Sequence, residues 1–553
     1  MRGLLLLATL GVAVAAFSAS LTGAAASRVQ GHAKVTPTIN APWAHEREDE
    51  EFDAPEPTAA ALCRSSMFDP GNPYAATSNV DLINGDEVQP GGFSNLGCIT
   101  AQNETTVAVN PTNPQNIVSA ANDYRDLTGN GDYAAWAYYS MDGGATWTNV
   151  QVPGLTALTG GKGKFKKLNT MSDPALAFGP DGTLYFANIV YDDAFKSGVA
   201  VSVSKDGGAT WGAPTMLVYN DSPAIFHDKE WVAAGPKGSV AVTWTRFKFD
   251  RHTGDYVESP IVMAASRDGG HSWSHRLIPV SGKARPYDQG SMPAFDSHGT
   301  LYVAYEGATP ESGYSQDGTI VARSTDLGRH FKQTTVGRAY DDFDCYPTWD
   351  DSQTLTGEHF RLNSYPAISV DPTNGHVAVV WSDDAGAGSC GTGASEFTGT
   401  TDAHVKLVTS NNGKAYTAPA MIAGGDTVFP SVAAWNGKIA VSYYTRAYSP
   451  STAQCTAVTG NDPGDSPVDG GAPVCLDYAA RSSSDGFATE RRLTTESSNP
   501  YIEFLDGLFI GDYSQIAIGS DGWAHPVWTD FRGNPNSGGT RANQDAYTQA
   551  FRP

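Results

Sequence analysis

Three eight-residue stretches decide the reading of this chain: SMDGGATW (Ser140 to Trp147), SKDGGATW (Ser204 to Trp211) and SRDGGHSW (Ser266 to Trp273). Each joins Asp-Gly-Gly, which makes a tight turn, to a preceding run of alternating β residues such as AAWAYYS or GVAVSVS. They read as hairpin tips. Altered copies stand at STDLGRHF (Ser324 to Phe331), SNNGKAY (Ser410 to Tyr416) and SSDGFATE (Ser483 to Glu490), so the pattern S-x-D-x-G-x-T-W, with Ser for Thr in the third tip, occurs three times with its tryptophan and three times in altered form.

A second pattern, two short apolar strands around a turn, falls upstream of each tip. It occupies Thr105 to Arg125, Asp173 to Asp193, Lys229 to Arg246, Ser291 to Gly307, Tyr365 to Asp384, Phe429 to Arg446 and Tyr513 to Arg532. That makes seven pairs. After the last, only the strand-like DAYTQAFRP remains before the end, too little for two more strands. Repeats of four short strands predict an all-β fold, a seven-bladed β-propeller of four-stranded blades, with six blades as the alternative. A segment before Glu104 would supply the strand that completes the final blade.

The tips resemble the Asp-box, or BNR, repeat of the sialidase superfamily, and the likeness runs from about Cys98 to Pro553. It implies a sialidase-like propeller whose boxes turn between third and fourth strands, on the face away from the active site. There the Asp and Ser or Thr side chains bond the turn backbone and the Trp packs between strands. The F/Y-R-I-P sequence of sialidases is absent here, and seven strand pairs exceed their six blades. A box identifies a fold rather than a chemistry.

Composition agrees with this outline. Of 553 residues 59 are glycine, roughly 11% against an ordinary ~7%, and only 17% are charged, as in a turn-rich β protein. The net charge of −23 argues against a nucleic-acid partner, which needs a basic face. Residues 1–26 read as a signal peptide: Arg2, an apolar stretch from Leu4 to Phe17, and Ala24-Ala25-Ala26 before Ser27. Residues 27–60, containing EREDEEFDAPEP, read as a disordered acidic linker, and 61–553 as the propeller with its closing segment. The expectation is a secreted monomer with no membrane span. Six cysteines without a C-x-x-C pair suit structural disulfides, and the smallest loops come from Cys63–Cys98, Cys345–Cys390 and Cys455–Cys475.

Propeller geometry predicts where a site must be. Residues at the start of each inner strand and the end of each second strand share one axial mouth. The first set holds Glu104, Asp173, the run His227-Asp228-Lys229-Glu230, Asp288 and Asp512; the second includes Arg125, Arg246, Arg446 and Arg532. Arginines at such a place suit an acidic glycan, because the guanidinium fork pairs with a carboxylate; bridges between blades are the alternative use. We therefore expect Arg125, Arg246, Arg446, Arg532 and Asp228 to bind substrate, and Asp173 and Glu230 to serve as acid and base. Tyr444 is a further candidate, since sialidases use a tyrosine nucleophile. The expected activity is glycoside hydrolysis of an acidic glycan, with a polysaccharide lyase or a non-catalytic glycan- or protein-binding propeller as alternatives. No cofactor is expected; of metals, only calcium would suit the pairs Asp192-Asp193 and Asp383-Asp384 and the run Asp341, Asp342, Asp344. P-loop, dinucleotide and G-x-S-x-G motifs are absent.

Overall fold

A computed structural model of the protein describes residues 79–83, 101–124, 136–281, 286–308, 317–339, 346, 348–349, 352–384, 401–452, 455, 474–500, 509–532 and 544–553. The expected signal peptide and linker, Arg125, Asp341, Asp342, Asp344 and the pairs Cys63–Cys98 and Cys345–Cys390 lie outside them. Cys455 and Cys475 form the expected disulfide. No helix among the described residues is long and apolar enough to cross a membrane.

Seven antiparallel sheets of four strands follow one another along the chain. Blade 1 runs through Gln102–Val109, Ile117–Asp123, Trp136–Ser140 and Thr148–Gln151. The inner strands of blades 2 to 7 are Thr170–Phe178, Ile225–Ala234, Asp288–Phe295, Ala367–Val370, Thr427–Trp435 and Gln515–Ile518. Blade 3 carries an extra strand, Tyr256–Glu258, and a two-stranded ribbon (Thr348–Trp349 with Ser352–Gln353) separates blades 4 and 5. The seven-blade expectation holds, and the six-blade alternative is excluded.

Blade 7 shows why the last repeat is short. Its three C-terminal strands end with Asp545–Thr548, and Val80–Asp81 pairs beside that strand, Val80 opposite Thr548. The N-terminal segment thus latches the ring by β-pairing, reinforced where Arg532 Nη2 and Thr495 N–H both donate to Asn79 Oδ1 at 2.8 Å. At the seam Gly511 has φ +89°, and a Cβ there would stand 2.6 Å from the Glu104 nitrogen, so glycine allows blade 7 to meet blade 1.

The Asp-box turns join third to fourth strands. In blade 1, Ser140 Oγ donates to Asp142 Oδ1 (2.7 Å) and accepts from Gly144 N–H (2.8 Å), Asp142 also accepts from Thr146 N–H (2.9 Å), and Trp147 Nε1 donates to Gly144 O (3.1 Å). Ser204 and Ser266 repeat the arrangement. Register fixes their side of the disc: Gln102 faces Asp123 at one end of blade 1, while Val109 faces Ile117 and Ile117 faces Ser140 at the other. Boxes and inner-strand starts are therefore at opposite ends. Blades pack on both faces, so second strands such as Leu184–Tyr191 are buried along their whole length, and Trp244, Trp381 and Trp528 are enclosed on the second strands of blades 3, 5 and 7.

Candidate functional site

The inner strands are not regular. Pairing slips between Asn103 and Thr106, Ser172 and Ala175, Asp228 and Trp231, Gln289 and Met292, and Val428 and Ser431, the same place in five blades. Each slip holds a residue in the left-handed region: Glu104 (φ 54°), Asp173 (φ 54°), Lys229 (φ 49°), Gly290 (φ 61°) and Phe429 (φ 49°). A bulge re-aims a side chain that strict alternation would send into the sheet. Four of the five lack glycine's freedom, at a cost of about 1–2 kcal/mol each.

Three of these bulges put charge together. Lys229 Nζ lies 2.8 Å from Glu104 Oε1, 2.9 Å from Asp173 Oδ2 and 2.8 Å from Asp512 Oδ2, as many carboxylates as an ammonium has hydrogens. Blades 1, 2, 3 and 7 meet here. Arg361, from the segment before blade 5, clamps Asp512 through Nε (2.9 Å) and Nη2 (2.8 Å). Asn122 ties the neighbours, donating to Glu104 Oε2 at 3.0 Å and accepting the Asp173 N–H at 2.7 Å. Burial pushes the Asp512 carboxyl up, but Arg361 and Lys229 outweigh it and hold it well below the usual carboxylate range.

Beside this hub sit polar groups with nothing to bond. Neither oxygen of Glu230 has a hydrogen-bond partner among the described residues, nor have Asp173 Oδ1 and the Tyr513 hydroxyl. Glu230 is 1% exposed; burial, then the charges of Asp173 and Asp228, raise it well above an ordinary glutamate. Tyr513 packs edge-on against Trp231 with centroids 5.0 Å apart, and its hydroxyl is held up by burial and by Glu104 and Asp173. Tyr365 lies against Gly290, where a Cβ would come within 2.3 Å of its ring. Tyr365 and Tyr513 are partly exposed and stand beside the buried charges, Tyr365 near Asp512 and Lys229 and Tyr513 near Glu104 and Asp173. In blade 4, burial lifts Asp288 to about 7, a hydrogen bond from Ser281 opposing it.

The structure thus brings Asp173, Asp228 and Glu230 together with Glu104 and Asp512. It does not bring Tyr444, whose hydroxyl donates to Thr529 O (3.0 Å) and accepts from Thr529 N–H (2.9 Å), in the core between blades 6 and 7. Arg446 is spent on Glu358 (2.9 Å) and Asp426 (3.0 Å), and Arg532 on Asp530 (2.6 Å), while stacking on Tyr547. Arg446 thus ties its blade to the segment before blade 5, while Arg532 stands two residues from Asp530 and reaches beyond its blade to Glu496 (3.5 Å) and Thr495 (2.9 Å). Arg246 differs: it is half-buried, makes no ion pair among the described residues, and burial lowers its basicity. His227, its cross-strand neighbour, is neutral, held down to about 3 by burial and by Arg246; Trp244 Nε1 donates to its Nδ1 at 2.9 Å and the Asn220 amide meets its Nε2. Both ring nitrogens are taken.

Lys229 and Arg361 organise the cluster; the first stands in the strand-entry run that the sequence shows but receives no role there, and the second is not singled out. A lysine flanked by two acids inside the inner strand IFHDKEWVAA is a visible signal; Arg361 belongs to no repeat and has none. Among the described residues no group of three or more histidine, cysteine, aspartate or glutamate side chains has a metal-holding arrangement. Asp383 is ion-paired with Lys406 at 2.7 Å, and Asp192 caps its own turn by accepting Ala194 and Lys196 N–H groups.

No family model matches the chain, and no curated protein does. Solved structures do. A protein of unknown function from Dyadobacter fermentans is 15% identical, over 63% of this chain and 91% of that one, with a TM-score of 0.39. Trypanosoma rangeli sialidase bound to the inhibitor DANA is 14% identical (67% and 57%, TM-score 0.39). The alpha-L-arabinofuranosidase of Fusarium graminearum with arabinobiose is 12% identical (86% and 98%, TM-score 0.39). The chain spans little more than half of the sialidase's length, and at these scores chemistry must be argued from the site itself.

Proposed function

We propose that the protein is a glycoside hydrolase working at the axial mouth on a glycan that carries acidic groups. The observation that supports this most is Glu230 beside Asp173: one enclosed carboxyl whose burial favours its protonated form, next to one that is ion-paired and has a bare oxygen. Glycoside cleavage asks for that division of labour, an acid to protonate the leaving oxygen and a carboxylate to attack the anomeric carbon or to activate water. Glu230 is the acid and Asp173 the carboxylate. Tyr365 and Tyr513 form the aromatic wall against which a sugar ring packs. Arg246, a guanidinium without a carboxylate of its own, is the anchor for an acidic substituent.

The signal-like residues 1–26 and the Cys455–Cys475 disulfide support export to an oxidising compartment, where such glycans are met. The chemistry needs no cofactor. A non-catalytic glycan-binding propeller is the second reading, favoured by the enclosure of the hub: Glu104 and Asp173 are 0% exposed, as in a structural plug.

Acidic and neutral glycosides, offered to wild type, Glu230→Gln and Asp173→Asn, separate the two. Hydrolysis of acidic glycosides that both variants lose supports the hydrolase. Binding without turnover by wild type leaves the lectin-like reading, and turnover undiminished in Glu230→Gln removes Glu230 from the chemistry.

A further inference from the structure

Lys229 is costly to have placed where it is. A lysine enclosed at 4% exposure costs several kcal/mol in desolvation, and here it also takes a left-handed backbone. Its three contacts are also selective. Glu104 and Asp512 each have their other oxygen occupied, by Asn122 and Arg361, whereas Asp173 Oδ1 has no partner among the described residues.

We propose that Lys229 is a positioning residue for the reaction: it anchors Asp173 through Oδ2 and leaves Oδ1 open, so that Asp173 presents one oxygen beside Glu230. This rests on the hydrolase reading for its purpose but not for its physics. The charged and titratable groups facing the pair are Glu104 from blade 1, Asp228 and Lys229 from blade 3, Arg361 and Tyr365 from the segment before blade 5, and Asp512 and Tyr513 from blade 7. Without the lysine cation, the three carboxylates it joins would share a dry space in which Arg361 is turned to Asp512. The least compensated carboxyl of the cluster would take up a proton.

The test uses the full chain and two readouts, the infrared band of protonated carboxyl groups at neutral pH and the pH profile of hydrolysis, in wild type, Lys229→Met, Lys229→Arg, Asp173→Asn and Glu230→Gln. Wild type should show a protonated carboxyl that Glu230→Gln lacks. Lys229→Met should gain a protonated carboxyl, with the acidic limb of the rate profile moved to higher pH and kcat down at least tenfold at little change in KM; Lys229→Arg should restore the wild-type band pattern in part. If Lys229→Met does not fold, Asp173→Asn decides: with the neighbouring charge gone, the Glu230 band should titrate away at lower pH than in wild type. An unchanged carboxyl count in folded Lys229→Met, or an unmoved Glu230 titration in Asp173→Asn, overturns the proposal. The expected bands in a protein that hydrolyses nothing would retain the role of Lys229 and remove the hydrolase reading.

Discussion

Asp206 and Glu230 stand at opposite ends of the propeller and show two ways of treating a carboxyl group. Asp206, in an Asp-box turn at the rim, accepts from Ser204 and from the Thr210 N–H; though burial works against it, these bonds lower it below an ordinary aspartate. Glu230, at the axis, has no partner among the described residues and is raised. The rim group is satisfied by residues within four positions of itself, so every box can build the same turn independently. The axial group owes its state first to burial and then to the charge of Asp173, on another blade. A buried polar group left unmade costs about 1–3 kcal/mol, which a chain retains where the group has something else to do.

The sharpest way to break this contrast is Glu230→Gln. If the axial carboxyl is a proton donor, the substitution should lower kcat by about 10²- to 10⁴-fold while leaving the midpoint of thermal unfolding nearly unchanged. A large loss of stability with unaltered kcat would make the axis structural like the rim.

Asp288 extends the contrast to pH. Folded, its carboxyl holds a proton up to about 7, while the unfolded chain releases it near 3.8. Between those values ionisation favours the unfolded state, so the contribution is lost as pH rises from about 4 and levels off near 7. About three pH units correspond to ~4 kcal/mol. Denaturant unfolding of wild type and Asp288→Asn across that range should show a falling slope in the first and a flatter line in the second.

Arg246 and Arg446 sharpen it among the cations. Arg246→Ala should weaken binding of an acidic glycan by roughly 10- to 100-fold with little effect on folding, as for the loss of one charge-assisted contact. Arg446→Ala, which removes the cation from Glu358 and Asp426, should do the reverse; titration calorimetry beside thermal unfolding separates the two. Equal affinity of wild type for neutral and acidic glycans would defeat the anchor.

The smallest effect belongs to the rim. Asp206→Ala removes turn hydrogen bonds and should cost about 1–3 kcal/mol in chemical denaturation, with the affinity of the folded variant unaltered. Loss of ligand binding by that variant would mean that the two ends are coupled.

Much of the architecture was legible because propeller blades are coded locally. An Asp-Gly-Gly turn, a strand of alternating residues and a repeat spacing are properties of neighbouring residues, and counting seven strand pairs was enough to require the strand that Val80–Asp81 supplies. Asp173 and Glu230 could be named as site candidates from their place in that count. What could not be read was the state of each group at the axis. Glu104 and Asp512 are 408 positions apart yet bonded, Arg361 reaches in from a segment outside the repeats, and bulges turn Asp173 and Lys229 toward one point. The same tertiary facts tie Arg446 to Glu358 and Arg532 to Glu496, close Tyr444 into the core and leave Arg246 without an ion pair among the described residues. Sequence fixes which side chains stand at each strand start, because strand and turn preferences act over a few residues. Only the closed ring decides which charges meet, because the energy of a buried charge depends on partners that the chain brings near from elsewhere.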